Sequence, residues 1–202
     1  MNRIKIFSDF AWPFCYFGLG LVDRLKEDGL EFDLEWIPFE LDPNAPEEGM
    51  DLYEVYPKEY IHSSLDMLSK MGKKFGIRFN NKNGKFNTRL AHLAGFYALE
   101  EGKYDEYAWA VFKAYFEQGL NVYNREVLSK IAKNIGLDPD QMLESIDSEK
   151  YNEKLEKAKR LAHEYGIQSV PTFIINHNYK MSGVRDYDSF KKTILDTFNR
   201  LD

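Results

Sequence analysis

Hydrophobic and polar positions near the start of the chain predict a β-α-β unit. Residues 3–7 alternate between apolar and polar side chains, as expected for a short strand, and residues 31–36 alternate almost without interruption. A helix between them begins at Pro13 and ends at Gly29, because proline suits the first helical position and glycine the residue just beyond the last. The connection between the two strands is expected to be right-handed.

The end of the chain has the pattern of two strands followed by a helix. Residues 171–176 and 179–183 have strand character and flank a short polar His-Asn turn. The final segment is amphipathic at helical spacing. Its apolar positions are Phe190, Ile194, Phe198 and Leu201.

The middle of the chain has helical spacing instead. A loop rich in Pro, Gly, Asp and Asn covers residues 38–51. Beyond it, apolar residues recur at helical intervals, most clearly in 104–115 and 127–135. Asp138 before Pro139 is typical of a helix start.

This order of elements predicts the α/β class, as a thioredoxin fold with a large all-helical insertion. The core comprises residues 1–51 and 166–202, and the insertion comprises residues 52–165. No flexible linker separates the two parts. We therefore expect the insertion to pack over the core as a lobe.

Composition narrows the classes of partner. The net charge is −6 and the calculated pI is about 5.4, which argues against nucleic acid or an acidic membrane surface as a partner. No apolar stretch approaches the length of a membrane span, and no apolar leader segment follows the N-terminus. One cysteine among 202 residues excludes a disulfide within the chain and favours the cytoplasm. His62, His163 and His177 are scattered, so no metal site is expected.

Three short motifs carry the chemistry. They are WPFCYFG at 12–18, SVPTF at 169–173 and MSGV at 181–184. In order and spacing they resemble the C-P-x-C-Y-x-G, V-P-T/F-F and SG segments of the DsbA/FrnE-like thioredoxin-fold oxidoreductases. FELDPNAPEEG at 39–49 and NTRLAH at 87–92 extend the resemblance over nearly the whole chain.

The resemblance implies a site with one of its two sulfurs missing. In that family the first cysteine attacks a substrate disulfide and the second, one turn further in, resolves the mixed disulfide. Trp12 stands at the first position and Cys15 at the second. We expect the Cys15 sulfur to be shielded and less readily ionised, and the Val170–Pro171 bond to be cis and to face the Trp12–Cys15 turn.

Candidate site residues follow from this resemblance. Cys15 is the candidate catalytic residue, with a buried structural thiol as the alternative. Arg89 and His92 are candidate polar groups above the cleft, with structural hydrogen bonding as the alternative. The candidate ligand-binding residues are Trp12, Pro13, Phe14, Val170, Pro171, Ser182 and Gly183.

Three functions remain open. The resemblance favours an enzyme that acts through a single thiol, exchanging with glutathione or with a thiol or disulfide peptide, since a two-cysteine cycle cannot operate within the chain. A second hypothesis is a glutathione-dependent isomerase or transferase of the 2-hydroxychromene-2-carboxylate isomerase and kappa-class type. The resemblance implies a serine at the first motif position in those enzymes, and this chain has Trp12 there instead. The third is a peptide-binding module without catalysis. Glutathione is the candidate cofactor.

Overall fold

The structure, a computed structural model, describes residues 1–80 and 84–201, apart from the Leu201 side chain. The strands are β1 (Arg3–Ser8), β2 (Asp33–Pro38), β3 (Met50–Asp51), β4 (Gly84–Lys85), β5 (Thr172–Ile175) and β6 (Tyr179–Ser182). The helices are α1 (Pro13–Glu27), α2 (Leu52–Val55), α3 (Lys58–Gly72), α4 (Arg89–Glu100), α5 (Tyr104–Phe112), α6 (Arg125–Asn134), α7 (Pro139–Asp147), α8 (Asn152–Glu164) and α9 (Tyr187–Phe198). Within the described ranges, none of these helices is long and apolar enough to cross a membrane.

A four-stranded sheet in the order β2-β1-β5-β6 confirms the predicted thioredoxin fold. Strand β1 is parallel to β2, and β5 is antiparallel to both β1 and β6. Phe7 is paired with Thr172, which is paired in turn with Ser182. The end of β1, the start of β5 and the end of β6 therefore lie side by side at one edge of the sheet.

Strand β2 lies two residues later than its alternating pattern predicts. Its six residues pair one to one with β1, so that Ser8 is opposite Pro38. The Ser8 carbonyl accepts a hydrogen bond from the Phe39 N–H at 2.9 Å, which continues the parallel ladder past Trp36. Pairing with a neighbouring strand, and not alternation, sets where β2 ends.

The chain divides into two compact units. The core unit comprises Met1–Phe39 and Ala158–Asp202, and the helical unit comprises Glu40–Lys157. In the core unit Phe190, Ile194 and Phe198 of the predicted final-helix stripe are buried, whereas the Leu201 side chain lies outside the described residues. The rings of Phe173 and Phe190 lie 5.1 Å apart. The proposed packing of the insertion over the core stays a prediction.

The helical unit contains one element that the pattern did not predict. Strands β3 and β4 pair as an antiparallel ribbon of two residues each. Two residues are too few to establish a strand period in the sequence. The stripe at 104–115 is buried as predicted except at Tyr104, which is half-buried, and its helix continues into a π-helical turn at Lys113–Glu117.

The backbone of α1 lies directly against the Pro171 ring. A Cβ atom placed on Gly18 would be 3.3 Å from the Cβ of Pro171 and 3.5 Å from the Phe173 ring. These separations leave no room for a larger side chain. Gly18 thus sets how closely the first motif approaches the second.

Replacing Gly18 should therefore test this contact. We expect Gly18→Val to lower the free energy of unfolding by about 1–3 kcal/mol, because the added atoms must displace Pro171. Gly18→Ala should stay within about 1 kcal/mol of the native protein, since reduced backbone freedom in the unfolded chain offsets the tight contact. Urea unfolding measures both changes.

The matched control is Lys26→Val, on the exposed side of the same helix. It should cost about 1 kcal/mol or less, from the lower helix propensity of valine and the loss of the surface ion pair with Asp23. Equal stability of Gly18→Val and the native protein would contradict the proposed contact.

Candidate thiol and ligand site

The chain turns sharply between β1 and α1. The Trp12 N–H donates to the Asp9 carbonyl at 3.2 Å, and the Cys15 N–H donates to the Trp12 carbonyl at 2.9 Å. Trp12 is the extended residue just before the helix, and Pro13 is its first helical residue, as predicted. Residues 12 and 15 therefore lie at the two ends of one tight turn.

The Cys15 sulfur is completely buried. The Asp9 backbone N–H donates to it at 3.4 Å. Burial raises the pKa of the thiol to about 12, although hydrogen bonds from the Asp9 backbone and the Ser8 side chain favour the thiolate. The negative charge of Asp9 adds to the rise in pKa. The expectation that the sulfur is shielded is confirmed, and the raised pKa has the direction expected of a less readily ionised thiol.

The direction of this shift sets the chemistry at neutral pH. With its pKa raised to about 12, the thiol stays protonated at pH 7, and the nucleophilic thiolate is scarcely populated. Cys15 in the folded protein is a poor nucleophile.

Trp12 occupies the exposed end of the same turn. Its side chain is 40% exposed, and its ring centroid lies 5.7 Å from that of Phe14. The Phe14 ring in turn lies 6.1 Å from Phe17. An indole offers an apolar face and one N–H donor, but no nucleophile. An aromatic surface thus stands at the position where the family resemblance places the attacking sulfur.

The second and third motifs meet at the sheet edge. The Val170–Pro171 peptide bond is cis, as predicted. The Pro171 carbonyl accepts from the Gly183 N–H at 2.8 Å, and the Thr172 and Ser182 hydroxyl oxygens lie 2.8 Å apart. Together with the Gly18 contact, these bonds place the two motifs against α1. That Pro171 faces the Trp12–Cys15 turn stays a prediction.

Gly183 has a positive φ of 77°, in the left-handed region. That conformation favours glycine, so the residue type at the end of β6 follows from the backbone. The Ser182 side chain before it is exposed. Its hydroxyl group can therefore reach a ligand while it stays bonded to Thr172.

Arg89 and His92 lie on α4 in the helical unit. An Arg89 nitrogen is 3.5 Å from a carboxylate oxygen of the buried Glu40 side chain, and the Arg89 backbone N–H donates to Asn87. His92 is buried. The ion pair with Glu40 gives Arg89 a structural role, and a cleft-facing role for either residue stays a prediction.

One residue of the site was missed by sequence reasoning. Asp9 is only 1% exposed, and its carboxylate accepts from the Ala11 N–H at 3.2 Å. A signal was available, because an acid stands there directly after a strand and before the apolar residues Phe10 and Ala11. Sequence alone does not tell whether such an acid turns outward or inward.

Solved structures share this fold along almost the whole chain. The probable DsbA oxidoreductase SCO1869 of Streptomyces coelicolor is 20% identical, with 98% of this chain and 91% of that chain covered and a TM-score of 0.88. The structure of 2-hydroxychromene-2-carboxylate isomerase is 18% identical, with 98% of this chain and 95% of that chain covered and a TM-score of 0.72. The cytosolic disulfide reductase DsbM of Pseudomonas aeruginosa, solved with GSH, is 16% identical, with 96% of this chain and 99% of that chain covered and a TM-score of 0.70.

Sequence comparison is more specific than the shared fold. The uncharacterized protein YwbO of Bacillus subtilis (strain 168) is 31% identical over 197 residues, which cover 96% of each chain. The family model described as the DSBA-like thioredoxin domain matches residues 3–195. With the three motifs gathered at one edge of a thioredoxin-type sheet, the chain belongs to the DsbA-like thioredoxin-domain family of thiol–disulfide oxidoreductases.

Proposed function

We propose that this DsbA-like protein binds a small peptidic thiol of the glutathione kind at the Trp12–Cys15 turn and Pro171, without running the two-cysteine cycle of its family. One observation carries the proposal. The only cysteine is completely buried, while an exposed tryptophan stands at the outer end of the same turn. This arrangement supports binding without thiol chemistry, because the turn presents an aromatic side chain to solvent and no accessible sulfur.

The groups around the turn support a peptidic ligand. Trp12 and Phe14 supply aromatic faces, and Ser182 supplies an exposed hydroxyl group. Glutathione combines a peptide backbone with a thiol, so it can use both apolar and hydrogen-bonding contacts. DsbM, which shares the fold, has been solved with GSH.

A cytoplasmic location fits such a ligand, and we propose it as well. A single cysteine gives the chain no disulfide of its own to maintain. DsbM is described as cytosolic.

Exchange at a single thiol is the second candidate. A Cys15 thiolate would attack glutathione disulfide, forming a Cys15–glutathione disulfide as the original S–S bond breaks and one glutathione leaves as thiolate. Family membership favours this reaction. The raised pKa and the burial of the sulfur oppose it.

The hypothesis of an isomerase function is supported by the shared fold alone. The 2-hydroxychromene-2-carboxylate isomerase structure is 18% identical to this chain. The resemblance places a serine of that group at position 12, where this chain has tryptophan. Ser8 is buried and hydrogen-bonds to Cys15, so it is already engaged within the fold.

Binding of S-methylglutathione, which cannot exchange, tests the proposal directly. In a titration monitored by tryptophan indole NMR signals, we expect the Trp12 signal to shift at ligand concentrations up to about 10 mM, a range that detects even millimolar dissociation constants. Trp12→Ala lacks this reporter, so its affinity and that of the native protein are compared by calorimetric titration, in which the variant should bind several-fold more weakly. The matched control, Tyr60→Ala, removes an exposed aromatic ring from α3 in the helical unit and should leave binding unchanged.

Absence of any shift with S-methylglutathione, reduced glutathione or glutathione disulfide would contradict the glutathione proposal. Rapid appearance of a glutathione adduct on the folded chain, seen by intact mass after addition of the disulfide, would favour the single-thiol exchange reaction instead.

The Cys15 thiol should be almost unreactive while the protein is folded. Because the pKa of Cys15 is raised to about 12, a colorimetric disulfide reagent should react very slowly between about pH 7 and 9 and faster as pH rises, since only the thiolate attacks. In denaturant, one thiol per chain should react at the ordinary rate of free cysteine. Equal rates with and without denaturant would show that the sulfur is accessible.

Restoring a sulfur at position 12 should restore redox chemistry. The native protein should not catalyse insulin reduction, whereas Trp12→Cys should raise the rate by about tenfold or more, because the new thiol lies at a helix N-terminus that favours thiolate. Trp12 is partly exposed, so its removal should cost less than the ~3–5 kcal/mol typical of a buried tryptophan. Thiol titration after oxidation should detect a disulfide with Cys15.

Two control variants separate sulfur chemistry from the loss of the indole. Trp12→Ser opens the same space without a thiol, and Trp12→Cys combined with Cys15→Ser retains only the outer sulfur. Neither should form the internal disulfide. Catalytic insulin reduction by the native protein would overturn our account of Trp12.

A further inference from the structure

Helix α3 and the short helix α2 before it present apolar side chains to solvent. Three of the fifteen residues of α3 are buried, namely Ile61, Leu68 and Gly72. By contrast, Tyr60 is 59% exposed and Met67 is 48% exposed. Val55 and Tyr56, between the two helices, are exposed as well. A group of large apolar side chains exposed together is typical of a surface that a partner covers.

The exposed residues continue as one stripe along α3. Tyr60 and Met67 are seven residues apart, which is two helical turns, so they lie on the same side of the helix. The Tyr56 ring lies 5.6 Å from that of Tyr60 and extends the stripe beyond the helix start. Ser63 and Ser64 stand in its middle, and the Ser63 hydroxyl donates to the Tyr60 carbonyl at 3.0 Å. This α3 stripe, Tyr56, Tyr60, Ser63, Ser64 and Met67, is therefore large at both ends and small at its centre.

Opposite charges flank the two ends of the α3 stripe. Glu59 and Lys70 are eleven residues apart, which is three turns, so they lie on the same flank. Both are exposed, and neither forms an ion pair with another residue of the described chain. Lys58 lies over the Tyr53 ring at 5.9 Å, away from the stripe. More acids precede the helix, Asp51 and Glu54, and more bases follow it, Lys73, Lys74 and Arg78.

We propose that the α3 stripe is the contact surface of a symmetric homodimer, in which the α3 helices of two copies pair antiparallel across a two-fold axis near Ser63 and Ser64. Tyr60 of each copy then lies beside Met67 of the other, and the small serines allow the helices to approach. Glu59 of each copy comes near Lys70 of the other, so this charge pair forms twice.

A second copy fits the stripe because a two-fold interface requires one surface to be complementary to itself. The acidic start and the basic end of α3 meet this requirement when the helices run in opposite directions. The proposal concerns association of the chain and does not depend on ligand binding at the Trp12–Cys15 turn.

Sedimentation velocity tests the association. Between about 1 and 500 µM, where micromolar dissociation constants are measured, the native protein should shift from the 23.7 kDa of one chain toward twice that mass. Met67→Asp places a charge in the stripe and should weaken association about tenfold or more. Tyr60→Ala, the control for ligand binding, should weaken it several-fold. The matched control Leu99→Asp puts the same acid at a similarly exposed apolar position of α4 and should leave association unchanged.

Charge exchange tests the antiparallel pairing itself. Glu59→Lys and Lys70→Glu should each associate several-fold more weakly than the native protein, because each variant sets like charges opposite one another. An equimolar mixture of the two variants should recover association, since both pairs are then of opposite charge. The double variant should recover it too. Unfolding of either single variant would not produce this recovery.

A native protein that keeps the mass of one chain over the whole range would contradict the homodimer and leave the stripe to another kind of partner. A dimer that Met67→Asp does not weaken would place the interface elsewhere and overturn the proposal. Single charge variants that associate as well as the native protein, or that fail to recover when mixed, would overturn the antiparallel pairing. Weakening by Met67→Asp together with recovery in the mixture supports it.

Discussion

The pairing of Phe7, Thr172 and Ser182 across three strands fixes the geometry on which the site depends. The register between two strands tolerates no small adjustment, since a shift of one strand by one residue would move all of its side chains to the opposite face of the sheet. With this register, the loop after β1, the Pro171 segment and the end of β6 emerge at one edge. The Gly18 contact with Pro171 then determines how near α1 lies. The backbone alone therefore brings the three motifs close together, without long side chains to bridge them.

The two ends of the first turn of α1 differ in solvent exposure, and this difference gives a thiol at each end a different reactivity. The residue before the helix is partly exposed, whereas the residue three positions later is completely buried. A thiol at the outer end would have the helix N-terminus and water to stabilise its charge. A thiol at the inner end loses that hydration, and burial outweighs two favourable hydrogen bonds. Loss of the outer sulfur therefore removes the reactive member of the pair.

Sequence reasoning predicted those parts of the fold that local rules determine. Proline and glycine marked the ends of α1, and Asp138 capped α7 through bonds to the backbone of Asp140 and Gln141. Elements set by pairing with a distant segment were less accessible, as the end of β2 and the ribbon of β3 and β4 show. The motifs that form the site were found by resemblance, because residues 12–18 lie far along the chain from residues 169–173 and 181–184.

Asp9 shows why the electrostatics of a site are harder to infer than its position. The same carboxylate in a solvated loop would be a common surface acid with little effect on a neighbouring thiol, because water screens its charge. Here the carboxylate is itself buried, and its charge adds to the effect of burial, which is the main cause of the raised pKa of the sulfur. In a two-cysteine relative, a hindrance to thiolate formation at the inner position would slow resolution of a mixed disulfide. In this chain no mixed disulfide awaits resolution by a second cysteine, so a neutral thiol beneath an aromatic surface is compatible with binding.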